Sequence, residues 1–117
     1  VRFIESNLFE NIQEQKFNII VSNPPYIRSN VINNLPKQVQ NEPHLALDGG
    51  EDGLKFYKKI IEQACGYIEN GYLILEIGYD QKEDVENLLK ENKNYSEIKT
   101  IQDLSGNDRC VVAKVCI

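Results

Sequence analysis

Residues Asn23-Pro24-Pro25-Tyr26 form a turn that suits the binding of a planar NH2 group. The turn follows an apolar run, residues 17–22, that predicts a buried strand of a parallel sheet. Each proline fixes φ at about −65° and lacks an N–H, so the turn is stiff and offers acceptors rather than donors. The side-chain oxygen of Asn23 and the carbonyl of Pro24 can therefore accept both hydrogens of an amide or amino group, while Tyr26 supplies an aromatic face.

Such an arrangement predicts a catalytic role for Asn23 and Pro24. The lone pair of a conjugated NH2 group is delocalised, so the group is a poor nucleophile. Two acceptors that draw on its hydrogens and aim it at an electrophilic methyl group would overcome this defect by positioning and electrostatics. The alternative is a proline-rich turn with a purely structural role.

The pattern of apolar residues predicts the elements around this turn. Residues 1–5 and 72–77 are predicted strands, and an apolar stripe predicts a helix over residues 54–70 with Gly71 just past its end. A second helix is predicted from a capping-box-like pair, Asp80 and Glu83. Residues 96–102 and 110–117 predict an antiparallel hairpin. This order predicts an α/β fold with a mostly parallel sheet, in which the loop over residues 27–52 covers the substrate.

Composition narrows the class of protein. The 117 residues fit one domain, and the net charge of −5 argues against direct nucleic-acid binding. No apolar run approaches the roughly 18–20 residues of a membrane span, so no membrane contact is expected. Three cysteines without metal-like spacing favour reduced thiols and a cytoplasmic location. His44 is the single histidine, and we expect no metal site.

Three further stretches resemble motifs of the release factor glutamine methyltransferases, which carry Asn-Pro-Pro-Tyr at this place in their fold. They are residues 42–54 (EPHLALDGGEDGL), 71–78 (GYLILEIG) and 103–109 (DLSGNDR). The resemblance covers essentially the whole chain. It implies the α/β, Rossmann-like fold of the S-adenosylmethionine-dependent methyltransferases, with a mostly parallel sheet that ends in an antiparallel hairpin.

The same resemblance implies a reaction and a set of site residues. The reaction is methyl transfer from S-adenosylmethionine to the side-chain amide nitrogen of the glutamine in the Gly-Gly-Gln motif of peptide-chain release factors. Asn23 and Pro24 would hold the amide in a substrate turn completed by Pro25 and Tyr26, and Glu42 would lie in the substrate loop. Asn7 stands where the family usually has Asp near the adenine amino group, so Asn7 and Asn23 are the expected cofactor-binding residues.

The family's first two strands and its glycine-rich cofactor loop have no counterpart in the chain. We therefore expect residues 1–117 to be the C-terminal portion of a single catalytic domain, truncated at its N-terminus. The strand over residues 17–22 would then lie at an apolar, unpaired sheet edge, which predicts self-association.

Two alternatives stay open. An adenine-N6 nucleic-acid methyltransferase would share the NH2-holding turn but would need a basic groove or an added recognition region. An inactive fragment that serves only as a folding or interaction module would bind no cofactor.

Overall fold

The structure, a computed structural model, describes residues 2–13, 15–35 and 44–115. Its strands are β1 (Phe17–Ser22), β2 (Ile68–Glu76), β3 (Tyr95–Gln102) and β4 (Asp108–Val115). Its α-helices are α1 (His44–Leu47), α2 (Lys55–Ala64) and α3 (Lys82–Glu91), and two short 3-10 helices span Ile32–Asn34 and Cys65–Tyr67. The predicted α/β class is confirmed.

The four strands form one sheet in the order β1-β2-β4-β3. Strand β1 pairs with β2 in parallel, whereas β4 runs antiparallel to both β2 and β3. The predicted terminal hairpin is therefore present. The prediction of a mostly parallel sheet is wrong for the described strands, since one of their three pairings is parallel. The reason is topological, because the last strand inserts between β2 and β3 and so adds two antiparallel pairings.

Helices α2 and α3 cover the sheet and close the core. The buried face of α2 presents Tyr57, Ile60, Ile61 and Ala64, which pack in one cluster with the inward side chains of β2 and β4. The hydroxyl of Tyr57 donates to the carbonyl of Glu76 at 2.7 Å and thereby fixes the end of β2 against this helix. Burial raises the pKa of Tyr57, so the phenol stays protonated and remains a donor.

Helix α2 is shorter than the apolar stripe predicted. It ends at Ala64, the 3-10 turn Cys65–Tyr67 follows, and Ile68 already belongs to β2. Gly71 therefore does not end a helix. A Cβ atom at Gly71 would lie 1.7 Å from the carbonyl oxygen of Asn18, so glycine is needed because β1 and β2 approach closely.

Two local predictions are also wrong. Of the strand predicted over residues 1–5, residues 2–5 form no strand, because no described strand lies beside them to supply hydrogen bonds, and residue 1 lies outside the described residues. Asp80 does not cap α3, which begins at Lys82 with Gln81 at the N-cap position. The Asp80 carboxylate instead pairs with Arg28 at 3.3 Å.

Strand β1 lies at an edge of the sheet, as the sequence predicted. Ile19 and Val21 are 57% and 69% exposed, so the edge is apolar on one face. That the edge mediates self-association stays a prediction. Within the described ranges, no helix has the length and apolar character needed to cross a membrane.

Candidate active site

The Asn23–Tyr26 turn leaves the sheet at the carboxyl end of β1. Ser22, the last residue of β1, pairs with Leu75 of β2, so the start of the turn is anchored to the sheet. Pro24 is buried, whereas the side chain of Asn23 is exposed. A buried, N–H-free proline next to an exposed amide gives a stiff base with an accessible acceptor.

Backbone hydrogen bonds join the residues after this turn to the segment over residues 47–50. The amide of Ile27 donates to Leu47 at 3.0 Å, and the amide of Gly49 donates back to Ile27 at 2.8 Å. The amide of Ser29 donates to Gly50 at 2.9 Å. Two of the stretches that carry the family resemblance therefore lie side by side, joined as a short parallel bridge.

Two glycines allow this segment to touch the backbone of Tyr26. A Cβ atom on Gly49 would lie 2.6 Å from the Cα atom of Tyr26. A Cβ atom on Gly53 would lie 2.6 Å from the Tyr26 carbonyl oxygen, and Gly53 also has a φ of +77°. Both positions need glycine because any side chain would displace the turn.

Carboxylates stabilise residues 48–54, the glycine-containing loop that joins α1 to α2, on both sides. Asp48 accepts hydrogen bonds from the Ser29 hydroxyl at 2.6 Å and from the Gly50 amide at 2.9 Å. Asp52 accepts from the amide of Leu54 and from the ammonium group of Lys58. These two interactions, the backbone hydrogen bond first, lower the pKa of Asp52, so its carboxylate is charged at neutral pH.

A cavity of about 900 Å³ opens beside the turn. It is lined by residues from the N-terminal turn, from the end of β1 and from α2: Glu5, Ser6, Asn7, Leu8, Glu10, Asn11, Ser22, Asn23, Pro24, Pro25, Lys55, Phe56 and Lys59. The structure thus brings Asn7 together with Asn23, Pro24 and Pro25.

Asn7 is held in this cavity by a hydrogen-bonded turn. The hydroxyl of Ser6 donates to the carbonyl of Leu8 at 2.9 Å and accepts from the amide of Asn11 at 2.9 Å. The carbonyl of Asn7 accepts from the amide of Glu10 at 3.2 Å. Leu8 has a φ of +55°, a costly conformation for leucine that these bonds maintain.

The cavity residues fit S-adenosylmethionine. The volume lies within the roughly 300–1,000 Å³ of small-molecule sites. The carboxamides of Asn7 and Asn23 offer both donors and acceptors, as an adenine edge requires. Glu5 and Glu10 offer acceptors that suit hydroxyl or ammonium groups. Asn7 and Asn23 both line this cavity, and that they hold the cofactor stays a prediction.

One predicted site residue among those that the structure describes, Tyr26, stands apart from this cavity. Tyr26 is not among its lining residues, because its ring lies against Gly78 and packs on the core. A stacking role for Tyr26 therefore stays a prediction. Glu42 lies outside the described residues.

The sequence did not predict that α2 lines the cavity. The ammonium groups of Lys55 and Lys59 lie 5.4 Å and 5.9 Å from the centre of the Phe56 ring, within cation–π range. Phe56 falls outside the apolar stripe of α2 and is the second residue of this helix. An apolar residue off the stripe was the one sequence signal available.

Comparison with known proteins identifies relatives of the whole chain. No protein-family model matches it. A release factor glutamine methyltransferase of Fusobacterium nucleatum is 45% identical over 120 positions, which cover 100% of this chain and 34% of the relative. A ribosomal protein uL3 glutamine methyltransferase of Francisella tularensis is 49% identical over 82 positions, 69% of this chain and 26% of the relative.

A solved structure shares the fold. It is a protein-(glutamine-N5) methyltransferase, described as release factor-specific, from Alicyclobacillus acidocaldarius. It aligns with a TM-score of 0.55 and 23% identity, over 86% of this chain and 49% of that one.

The chain shares the fold of the S-adenosylmethionine-dependent methyltransferases, and its sequence relatives are named as methyltransferases. Within that class, the sequence relatives include several release factor glutamine methyltransferases. Four of them match 91–100% of the chain at 41–45% identity. The chain spans about a third to two-fifths of the length of these relatives.

Proposed function

We propose that the protein transfers a methyl group from S-adenosylmethionine to the side-chain amide nitrogen of a protein glutamine, and that this glutamine lies in the Gly-Gly-Gln motif of a peptide-chain release factor. The observation that carries the proposal is the place of the Asn23–Tyr26 turn. Its exposed Asn23 shares one cavity with Asn7, in a chain whose relatives are glutamine methyltransferases.

The turn would act by orienting the substrate amide. The side-chain oxygen of Asn23 and the carbonyl of Pro24 accept one amide hydrogen each, which fixes the plane of the NH2 group. Both acceptors also stabilise the positive charge that develops on the nitrogen as it attacks. S-adenosylmethionine, when bound, supplies the electrophilic methyl group. Because the turn is stiff and Pro24 is buried, little reorganisation is needed at the moment of reaction.

The other cavity residues would shape the binding of both partners. Asn7 faces the same space from the N-terminal turn, where it would hold the adenine. Phe56 gives the cavity an apolar wall, which favours exclusion of water from the reacting atoms. Three expectations stay predictions. They are that Glu42 takes part in substrate binding, that the chain is one portion of a single catalytic domain, and that it acts in the cytoplasm.

A ribosomal-protein glutamine is a second candidate substrate. The observation that favours it is the 49% identity to the uL3 glutamine methyltransferase of Francisella tularensis. Both candidates present a glutamine amide to the same turn, so the turn does not discriminate between them.

The proposal is tested by titrating the 117-residue chain with S-adenosylmethionine in a calorimeter and then assaying methyl transfer. The substrates are a Gly-Gly-Gln peptide of a release factor, a glutamine peptide of ribosomal protein uL3, the Gly-Gly-Asn version of the first peptide, and an adenine-containing oligonucleotide. We expect transfer to the Gly-Gly-Gln peptide alone. Transfer to the oligonucleotide would favour the adenine-methyltransferase alternative.

The Asn23→Ala variant tests the role of the turn. We expect turnover to fall about 10²-fold or more, the size of the loss when a positioning hydrogen-bond group is removed. Asn87→Ala is the matched control, because Asn87 is exposed on α3. The same variants are compared in a chimera in which the chain replaces the matching segment of the Fusobacterium nucleatum relative. Unchanged turnover of Asn23→Ala would refute the role given to Asn23. Absence of cofactor binding and transfer by the wild-type chain would support the interaction-module alternative.

A further inference from the structure

Gln81 is a buried polar residue in the segment that joins β2 to α3. It is 2% exposed and is the one polar or charged residue that is buried among the residues that the structure describes. Its side-chain oxygen accepts a hydrogen bond from the amide of Gly78 at 2.9 Å. Its side-chain nitrogen donates to the carbonyl of Tyr26 at 3.1 Å and to the carbonyl of Gly53 at 3.3 Å.

These three hydrogen bonds join segments that are distant in sequence. Tyr26 closes the substrate turn, Gly53 belongs to the glycine-containing loop, and Gly78 follows the end of β2. A carboxamide is the side-chain group that can accept one hydrogen bond and donate two in a single plane without carrying charge. A charged group at this buried position would be destabilising.

We propose that Gln81 is a positioning residue for the methyl-transfer reaction, because it fixes the Asn23–Tyr26 turn relative to the end of β2 and to the glycine-containing loop. The inference rests on the proposed function. Gln81 touches neither reacting atom. It acts through the Tyr26 carbonyl, which lies three residues after Asn23, and thereby holds the two amide acceptors in place.

The side chain of Gln81 does not serve the helix that follows it. Gln81 occupies the N-cap position of α3, yet its side chain makes no capping hydrogen bond. The start of α3 and the hydrogen bonds of the Gln81 side chain can therefore be changed separately by substitution. Asparagine is a favourable N-cap residue, but it is one methylene shorter, so Gln81→Asn preserves the start of α3 and removes the reach to Tyr26.

The first test is amide hydrogen exchange by NMR on the 117-residue chain, wild type against Gln81→Asn. The reporters are the amides of Ile27 and Gly49, which are bonded between the turn and the loop. We expect these two amides to exchange roughly 10- to 100-fold faster in the variant, the effect of leaving buried carbonyls unpaired. The amide of Ala113 in β4 is expected to keep its wild-type rate. Gln63→Ala, on the exposed face of α2, is the control and should change none of the three.

The second test is rescue by Gln81→Glu. A glutamate has the length of glutamine, and its protonated form accepts one hydrogen bond and donates one. The exchange rate of Ile27 in this variant, divided by the wild-type rate at the same pH, should therefore fall towards one as the pH is lowered.

In the chimera with the Fusobacterium nucleatum relative, Gln81→Asn should lower kcat about tenfold or more and leave the KM for S-adenosylmethionine unchanged.

The proposal would be overturned if the amides of Ile27 and Gly49 exchanged at their wild-type rates in Gln81→Asn. It would also be overturned if the amide of Ala113 were accelerated as much as these two, because equal acceleration would show a general loss of stability. A wild-type kcat in the variant chimera would also overturn it. If the wild-type protein transferred no methyl group, the proposed function would fail, whereas the exchange rates would still decide whether Gln81 fixes the turn.

Discussion

The Gly49→Ala substitution should displace the substrate turn without straining its own backbone. Gly49 is buried and is not among the described glycines with positive φ, so alanine can adopt its conformation. The new methyl group would lie 2.6 Å from the Cα atom of Tyr26, 2.7 Å from its carbonyl carbon and 2.9 Å from the carbonyl oxygen of Gly53. All three are backbone atoms, which cannot move aside by changing rotamer.

The size of the effect follows from these distances. Carbon atoms in ordinary contact lie about 3.5 Å apart, so the backbone at Tyr26 must retreat by roughly 0.9 Å. Insertion of a methyl group into such a packed contact costs about 1–3 kcal/mol of unfolding free energy. A displacement of about 1 Å at a group that orients a substrate lowers turnover by roughly 10²-fold. We therefore expect a moderate loss of stability and a larger loss of kcat.

Urea unfolding and methyl transfer measured on the same preparations distinguish these two effects. Gly66→Ala is the matched control, because a Cβ atom at Gly66 would meet nothing within 4 Å. Gly50→Ala is a second comparison, since Gly50 has a φ of +90° and the atoms nearest to its Cβ atom would belong to the side chain of Lys55 and not to the turn. If Gly49→Ala unfolded and turned over like Gly66→Ala, the contact with Tyr26 would not fix the turn and the reasoning would be refuted.

Two further predictions concern the scaffold. Gly71→Ala should lower the unfolding free energy by about 3 kcal/mol or more, because its Cβ atom would lie 1.7 Å from the Asn18 carbonyl oxygen. If urea unfolding showed a smaller loss of unfolding free energy than for Gly49→Ala, this prediction would be contradicted. Asp103→Asn tests pH dependence: hydrogen bonds from the Asn107 amide and then from the Arg109 side chain lower the pKa of Asp103 in the folded state. The charged carboxylate therefore stabilises the fold above its unfolded-state pKa of about 3.9, and this contribution is lost as the pH falls through the lower folded-state pKa. Unfolding followed from pH 7 to pH 2.5 should show wild type more stable at neutral pH, with its advantage over the variant shrinking as the pH falls, whereas a difference that did not change with pH would contradict a charge effect.

Patterns within short stretches of the sequence correctly predicted strand β1 and the final hairpin. The apolar run over residues 17–22 became β1 with unchanged bounds, and the final hairpin formed as predicted. These predictions are confirmed because the side-chain periodicity and turn residues on which they rest lie within a few positions of one another. The apolar stripe likewise located α2 correctly at its start, within one residue.

Predictions failed where a distant segment decides the conformation. The stripe continued to Ile68, but β2 begins there because Phe17 of β1 lies beside Ile68 as a parallel partner. Residues 1–5 have the composition of a strand, yet the described sheet offers them no neighbour. In both cases intrinsic preference is overruled by pairing that a single sequence does not display.

The candidate site divides in the same way. The turn chemistry pointed to Asn23 and Pro24, the family resemblance pointed to Asn7, and the structure places all three on one cavity. The sequence did not indicate a role for Gln81, because a glutamine after a strand is normally exposed. Its side chain is satisfied in the interior by the carbonyls of Tyr26 and Gly53, which lie 55 and 28 residues away in the sequence. Buried polar residues of this kind are visible only once the segments have come together.

The motifs that carry the family resemblance are separate in sequence but adjacent in space. The turn contacts the glycine-containing loop, Gln81 joins both of them to the end of β2, and the amide of Ile77 donates to the carbonyl of Arg109 in the final hairpin at 2.9 Å. The side of the cavity that carries Asn23 is therefore fixed by contacts between described residues of the range 23–109. Asn7 reaches the cavity from a turn that is stabilised by its own hydrogen bonds. The two sides of the cavity, which we propose for the cofactor and for the substrate, are thus held by separate sets of hydrogen bonds.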